Sequence, residues 1–452
     1  VNEGDSAVFT LDTTGLASGS ELSYTVTGVN GSDITGSTVG SVKIGADGKG
    51  LIAVGTVADT TTEGAETLTV SVAGQSASTT VNDTSLTAPP AAETVALTAG
   101  IDNKTTGAGD DSFSGTNATL TTGDILNGGE GSDTLSVTTS ITGATAVNGF
   151  TTTSIENANI NLIDGNTGAN HVLTVNMVDA SIGTVTVSGT STAGQADGVT
   201  LTNVDSGTSV AMSGTTNMDL TVNYDATFLA GTGDAATLTL SSNTHGGAAN
   251  NDITYGAGIE TLTINSIGSA NLLGDIVWGG SALNVTGDQN LTIADTLAVT
   301  AQDVDASGFS GRLSVVLPNS NDKANSAAGV DITDVTVTGG SGNDTIDVRL
   351  LDANVEMDIK GGAGDDTIIF GVANLAVGTA TRTADSIDGG DGTDSIQTTT
   401  ALANSATAAA NSTVSNVEIL RVQDANTNSI TLNNIQSGLT QINLVSGSNG
   451  GT

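Results

Sequence analysis

An all-β fold is predicted for this 452-residue chain: an N-terminal β-sandwich followed by an elongated β-solenoid, β-roll-like where glycine and aspartate punctuate it. Three observations predict it. Short runs of alternating apolar and polar residues recur along the whole length, and no stretch of useful length has helical period. Glycine is abundant (60) and proline rare (3), so turns are frequent while strands are seldom interrupted. Aromatics make up only 2%, so the core must be packed from Val, Leu, Ile and Ala.

The elements follow in order. Residues 1–86 carry the runs Ala7–Leu11, Leu22–Val26, Gly50–Val54 and Thr67–Val72, separated by Gly, Asn and Asp at sandwich spacing. Residues 87–94 contain Ala88-Pro-Pro-Ala-Ala-Glu93, a stiff extended linker. Residues 95–140 form a first segment of glycine-aspartate turns. Residues 141–335 carry a looser repeat, with strands such as Val172–Val175, Gly183–Val187, Asp219–Val222 and Glu260–Ile264. Each is too thin to bury its own apolar face, so neighbours must stack. Residues 336–452 hold a second segment of turns and the C-terminal strands. An apolar residue followed by glutamate enters a strand at Glu156, Glu260 and Glu418. These glutamates read as strand-start signals, with a ligand role as the alternative.

Five turns share the pattern G-G-x-G-x-D-x-U, where U is apolar. They run from Thr106 (in place of the leading glycine) to Phe113, Gly128 to Leu135, Gly339 to Ile346, Gly361 to Ile368 and Gly389 to Ile396. Glycine supplies the positive φ that turns the backbone sharply and aims its carbonyl oxygens inward. The aspartate adds a hard carboxylate. Ca²⁺ takes six to eight such oxygens in irregular geometry, so Ca²⁺ is the expected cofactor. The candidate ligands are Gly107, Gly109 and Asp111; Gly128, Glu130 and Asp133; Gly339, Ser341 and Asp344; Gly361, Ala363 and Asp366; and Gly389, Asp391 and Asp394. The turns start at 106, 128, 339, 361 and 389, not every nine residues, so they are expected to stack in pairs with further ligands from nearby loops. Asp124 and Asp385, four residues before a motif's first glycine, and Asp358, three before, are the candidates; solvated strand-end carboxylates are the alternative.

Net charge is −39, from 48 acidic and 9 basic residues. With no basic patch, nucleic acid is excluded as a partner, and so are anionic membrane surfaces. Such a charge opposes compaction, and divalent cations relieve it; a purely solubilising acidic coat is the other reading. There is no cysteine, hence no disulfide or thiol chemistry, and no apolar run long enough to span a bilayer. Val1 opens the chain without methionine or a leader-like run, and Ser446–Thr452 resembles linker, which predicts a processed or trimmed product. No active site is expected. His171 and His245 are solitary, and no zinc, serine-elbow or phosphate-loop motif is present. The enzymatic alternative is a calcium-dependent polysaccharide lyase or epimerase, with Arg312 or Arg349 as base.

Glu3-Gly-Asp5 and the stretch from Asp59 through Glu63-Gly-Ala-Glu66 to Val70 resemble a Calx-β domain. That resemblance implies that Glu3, Asp59, Glu63 and Glu66 are ligands or turn formers; acidic strand ends of an Ig-like sandwich are the alternative. From about 95 to 425 the chain resembles the secreted RTX-type surface proteins of Gram-negative bacteria, especially calcium-dependent S-layer and surface-filament subunits. The resemblance rests on the five turns, the three glutamate strand starts, and the stretches Leu283–Ile293 and Val304–Val315. It implies one-step export, folding outside the cell in millimolar calcium, an extracellular place at the bacterial cell surface, and assembly with copies of itself. Cell-surface polysaccharide is a further partner. No recognisable C-terminal secretion signal of that family is read in this sequence, which leaves the expected export route open. A strand donated from Leu439–Val445 is one expected way of joining subunits. An adhesin or ice-binding role, suggested by Thr-x-Thr at Thr184, Thr237 and Thr261, is the alternative function.

Overall fold

The computed structural model describes residues 1–58, 64–84, 91–164, 170–191, 195, 197–229, 231–244, 252–295, 297, 303–317, 334–351, 355–371, 385–398, 413–423 and 438–444. Every described regular element is a strand. Among the described residues no helix is long and apolar enough to cross a membrane. The chain divides into two compact units, Val1–Pro90 and Ala91–Thr452.

The first unit is a β-sandwich. Its strands are β1 (Ser6–Asp12), β2 (Glu21–Thr27), β3 (Ile34–Thr35), β4 (Val39–Lys43), β5 (Lys49–Thr56), β6 (Glu66–Val72) and β7 (Gln75–Val81). One sheet has the order β1-β5-β3 and the other β4-β2-β6-β7, with every pairing antiparallel. The period-2 pattern of the sequence is what buries it. On β5, Ile52 and Val54 face the core while Leu51 and Ala53 face out. Opposite them, Leu68, Val70 and Val72 of β6 complete the same cluster. Pro89 and Pro90 lie outside the described residues.

The second unit is a parallel β-solenoid. A 16-stranded main sheet forms one wall and runs unbroken across positions 140 and 335, where the sequence changes character. A six-stranded sheet, from Thr145–Val147 to Ile276–Val277, and an eight-stranded sheet, from Asn271–Leu273 to Gln441–Leu444, form the others. Each coil places one strand against its equivalent in the next, so like residues stack at the ~4.8 Å strand spacing. One column runs Phe113, Leu135, Ala158, Val185, Val210, Leu238. Another runs Leu283, Val304, Val337, Ile359, Ile387, Val414. All of these are buried. Each fully buried Leu, Ile or Val is worth about 1.5–3 kcal/mol, and no coil could gain that alone. The segment expected to be donated between subunits is paired within the chain: Gln441–Leu444 lies parallel to Ile419–Val422 and ends the third sheet.

Candidate metal centre

The five glycine-aspartate turns form two stacks at different corners of the coil. The first two lie within the 16-stranded sheet: each joins a short strand off its main path (Asn103–Thr105, Ile125–Asn127) to one on that path, Ser112–Gly115 or Thr134–Ile141. The last three leave the main sheet and lead into Thr345–Asp347, Thr367–Ile369 and Ser395–Thr398 of the third sheet.

Within a stack the turns lie almost backbone on backbone, which is why glycine is required. Gly390 has φ +99°, and a Cβ on it would meet the Gly362 carbonyl oxygen at 1.9 Å. The leading glycines serve a second purpose. The point where a Gly128 Cβ would sit is 2.0 Å from the Ser154 carbonyl oxygen and 2.2 Å from Asp133 Oδ2. The same pair of oxygens closes over Gly361 (Gly389 O at 2.3 Å, Asp366 Oδ2 at 2.4 Å) and over Gly389 (Asn416 O at 1.8 Å, Asp394 Oδ2 at 2.7 Å). Over Gly339 they are the Gly361 carbonyl oxygen and Asp344 Oδ2. A carbonyl from the next coil and the turn's own carboxylate thus converge over a bare backbone. In the first turn Gly109 instead packs on the Ala91 carbonyl, so the chain is already stacking at the C-terminal part of the linker.

The aspartates form a ladder along each stack, all five buried. Asp111 Oδ1 accepts the Glu93 N–H (2.6 Å) and Asp133 Oδ1 the Asp111 N–H (2.7 Å). In the second stack the Leu313 N–H donates to Asp344 (2.7 Å), Asp344 to Asp366 (2.7 Å) and Asp366 to Asp394 (2.8 Å). Both ladders end on a glutamate. Glu156 accepts the Asp133 N–H at 2.7 Å, and Glu418 the Asp394 N–H at 2.8 Å. Glu260 does the same for Asp234 at 2.8 Å. Glu260 and Glu418 stand one residue before their strands, as expected, whereas Glu156 lies inside the strand Thr151–Asp164, just after a register shift between Thr152 and Ile155; each follows a residue with positive φ two positions earlier (Ser154, Gly258, Asn416). A second, outer ladder runs the opposite way: Ser132 N–H to Asp110, Asp365 N–H to Asn343 and Thr393 N–H to Asp365.

The second carboxylate oxygen is where the stacks are chemically incomplete. Oδ2 of Asp111, Asp133, Asp366 and Asp394 is buried without a hydrogen-bond partner, whereas that of Asp344 accepts the Gly340 N–H at 2.8 Å. Burial pushes the Asp133, Asp344 and Asp394 carboxyls above the usual carboxylate range. Asp366 is pushed up to about 7, chiefly by burial, with Asp344, Asp394 and Asp365 adding repulsion. Asp111 goes the other way, held low by the Glu93 N–H. A buried, half-partnered carboxylate facing a carbonyl is unfavourable unless a cation or the carboxyl's own proton sits between them. The donor set, hard oxygens from backbone and carboxylate, is the one calcium takes.

The other sequence candidates are placed differently. Glu130, Ser341 and Asp391 are exposed at the turn tips, where with Ala363 they offer backbone groups: the Glu130 N–H donates to Gly107 O, the Ala363 N–H to Gly340 O, and Asp391 O accepts the Gly364 N–H. Asp124 is buried at the far end of Ile125–Asn127, about 13 Å along extended chain from Gly128, and accepts the Asp102 and Thr121 N–H groups. Asp385 stands likewise before Ser386–Asp391 and accepts the Met357 N–H. Asp358 faces out and pairs with Lys360 at 3.1 Å. In the sandwich, Glu3 accepts the Thr84 N–H. The Glu66 carboxyl is pushed up by burial and by Asp33 and Glu3, so these acids gather at one end. Asp59, Glu63 and His245 lie outside the described residues. Arg349 is clamped by Asp347 through bonds of 2.6 and 3.0 Å, and the Arg312 N–H donates to Asn290. His171 is buried, its Nδ1 3.4 Å from Asp197 Oδ1.

Among the described residues no three His, Asp or Glu side chains converge in metal-binding geometry. A cation in the turns would therefore be held mainly by carbonyl oxygens, with one or two carboxylates. No known protein family, curated protein or solved structure matches the chain.

Proposed function

We propose that this chain is an extracellular, calcium-dependent structural subunit that self-assembles into a layer or filament at a bacterial cell surface. The observation that carries the reading is the set of four buried, unpartnered Oδ2 atoms, three of them converging with a carbonyl oxygen over a bare glycine. Calcium bound there neutralises the carboxylates and bridges consecutive coils. At Kd values of about 10⁻⁴ to 10⁻³ M, millimolar calcium adds about 0.4–1.4 kcal/mol per site. Spread over several turns in a chain of net charge −39, that increment decides whether the stacks close.

The fold is compatible with a structural role. Its coils are held by neighbour-to-neighbour burial, and among the described residues the last strand of the third sheet, Gln441–Leu444, is paired on one side, with Ile442 and Leu444 exposed. Such an edge accepts a strand from another copy. The test is a chelator titration followed by circular dichroism, with negative-stain microscopy of the assembled material. Loss of β signal and of polymer on chelation is expected. Unchanged spectra with intact polymer refute the reading.

A further inference from the structure

The corner that carries the last three turns continues backwards into coils with no glycine-aspartate motif, and there asparagine does the aspartate's work. The Thr215 N–H donates to Asn243 Oδ1 at 3.2 Å, and the Asn243 N–H to Asn271 Oδ1 at 2.9 Å. Strand register carries Asn271 onto Leu291 and Leu313, and the Leu313 N–H then donates to Asp344. One inner column therefore runs from Thr215 to Glu418. Both asparagines are as buried as the aspartates.

The difference lies in the second side-chain atom. Asn271 Nδ2 donates to Ser266 Oγ (2.8 Å), Ile267 O (3.3 Å) and Leu240 O (3.4 Å). Asn243 Nδ2 donates to Met212 O and to Asn271 Oδ1, both at 3.1 Å. The turn Ser266-Ile-Gly-Ser-Ala-Asn271 has the same length as Gly361 to Asp366, with serine in place of the leading glycine. An amide thus presents donors to the oxygens around it. A carboxylate at the same place presents a second acceptor, and Asp366 and Asp394 leave that acceptor without a partner.

We infer that the amide turns are metal-free counterparts of the carboxylate turns, so that the cation requirement is confined to the two turn stacks while the coils between them hold without it. This rests on the proposed calcium reading and adds a regulation to it. Calcium orders the stacks Ser112–Gly115 with Thr134–Ile141, and Thr345–Asp347 with Thr367–Ile369 and Ser395–Thr398. The coils of Met218–Tyr224, Ala235–Ser241 and Thr261–Ile267 are already ordered by packing and by the amide column.

Hydrogen–deuterium exchange of the full chain, in calcium and in chelator, tests it. The stack strands are expected to exchange at least tenfold faster in chelator, and the intervening strands to change less than twofold. Loss of protection everywhere at once overturns the inference and leaves the calcium reading standing. No change anywhere removes both. A double variant, Asp366→Asn with Asp394→Asn, checks the amide equivalence. In chelator it is expected to keep the protection of Thr367–Ile369 that the parent chain loses; an equal loss overturns the equivalence.

Discussion

Replacing Gly390 by alanine measures how tightly the turns stack. The glycine has φ +99°, where an L side chain costs about 1–2 kcal/mol. The added Cβ would also lie 1.9 Å from the Gly362 carbonyl oxygen and 2.8 Å from its carbon. Both are backbone atoms of the neighbouring turn, so no side-chain rotation relieves the contact. Over-packing of this kind costs about 1–3 kcal/mol. Together the expected loss is about 2–5 kcal/mol, concentrated in Ser386–Asp391 and in the Gly361–Asp366 turn on which Gly390 stacks. Gly143→Ala is the control: nothing lies within 4 Å of its Cβ and its φ is not left-handed, so the change should stay within about 0.5 kcal/mol or stabilise slightly. A solenoid need not unfold in one step, so local hydrogen exchange is the proper readout. Calcium needed to restore protection should rise for Gly390→Ala and not for Gly143→Ala. Equal behaviour of the two variants would refute the close stacking on which the cation sites depend.

Three further outcomes are expected. Glu418→Ala leaves the buried Asp394 N–H without an acceptor and should cost about 1–3 kcal/mol, seen as faster exchange in Ser395–Thr398; Glu418→Gln, which keeps an acceptor oxygen, should restore most of it. In chelator, the second stack should be most stable in acid. Asp366 binds its proton more tightly folded than unfolded, so its contribution is complete below the ordinary carboxylate range and is lost as pH rises through about 7. Thermal melts of the chelated protein at pH 5 and pH 8 check the sign, and added calcium should abolish the difference. Asp358→Ala should change stability by less than about 1 kcal/mol and leave the calcium midpoint unmoved, because its pairing with Lys360 is about half exposed on each side.

The turns were legible because their requirement is local. Positive φ, close backbone approach and a buried carboxylate all fall within six residues, so Gly361–Asp366 announces itself. The alternating strands were legible for the same reason, since inward and outward residues are neighbours in sequence. What stayed hidden depends on which coil lies on which. Val304 pairs with Val337, 33 residues on, while Val337 pairs with Ile359 only 22 residues on, so no fixed period reveals the columns. Asp124 and Asp385 looked close to their turns by count, yet extended strands carry them to the other end. Asn243 and Asn271 were missed because asparagine in a loop is ordinary. The signal that could have found Asn271 is the matching length of Ser266–Asn271 and Gly361–Asp366, with a glycine between. For Glu418 the strand start was readable in the sequence, whereas Glu156 lies within a longer strand, and only the stacking showed which N–H each carboxylate accepts.

The inner ladder always points one way: a backbone N–H donates a hydrogen bond to the acidic side chain one coil further on, and a single glutamate finishes the series. Nothing in that scheme counts how many rungs precede the end. A 22-residue module like the one from Asp344 to Asp366 could be duplicated in place, with the old terminator still closing the longer column. The length of the molecule is therefore free to drift by tandem copying, one rung at a time, without any new chemistry being invented.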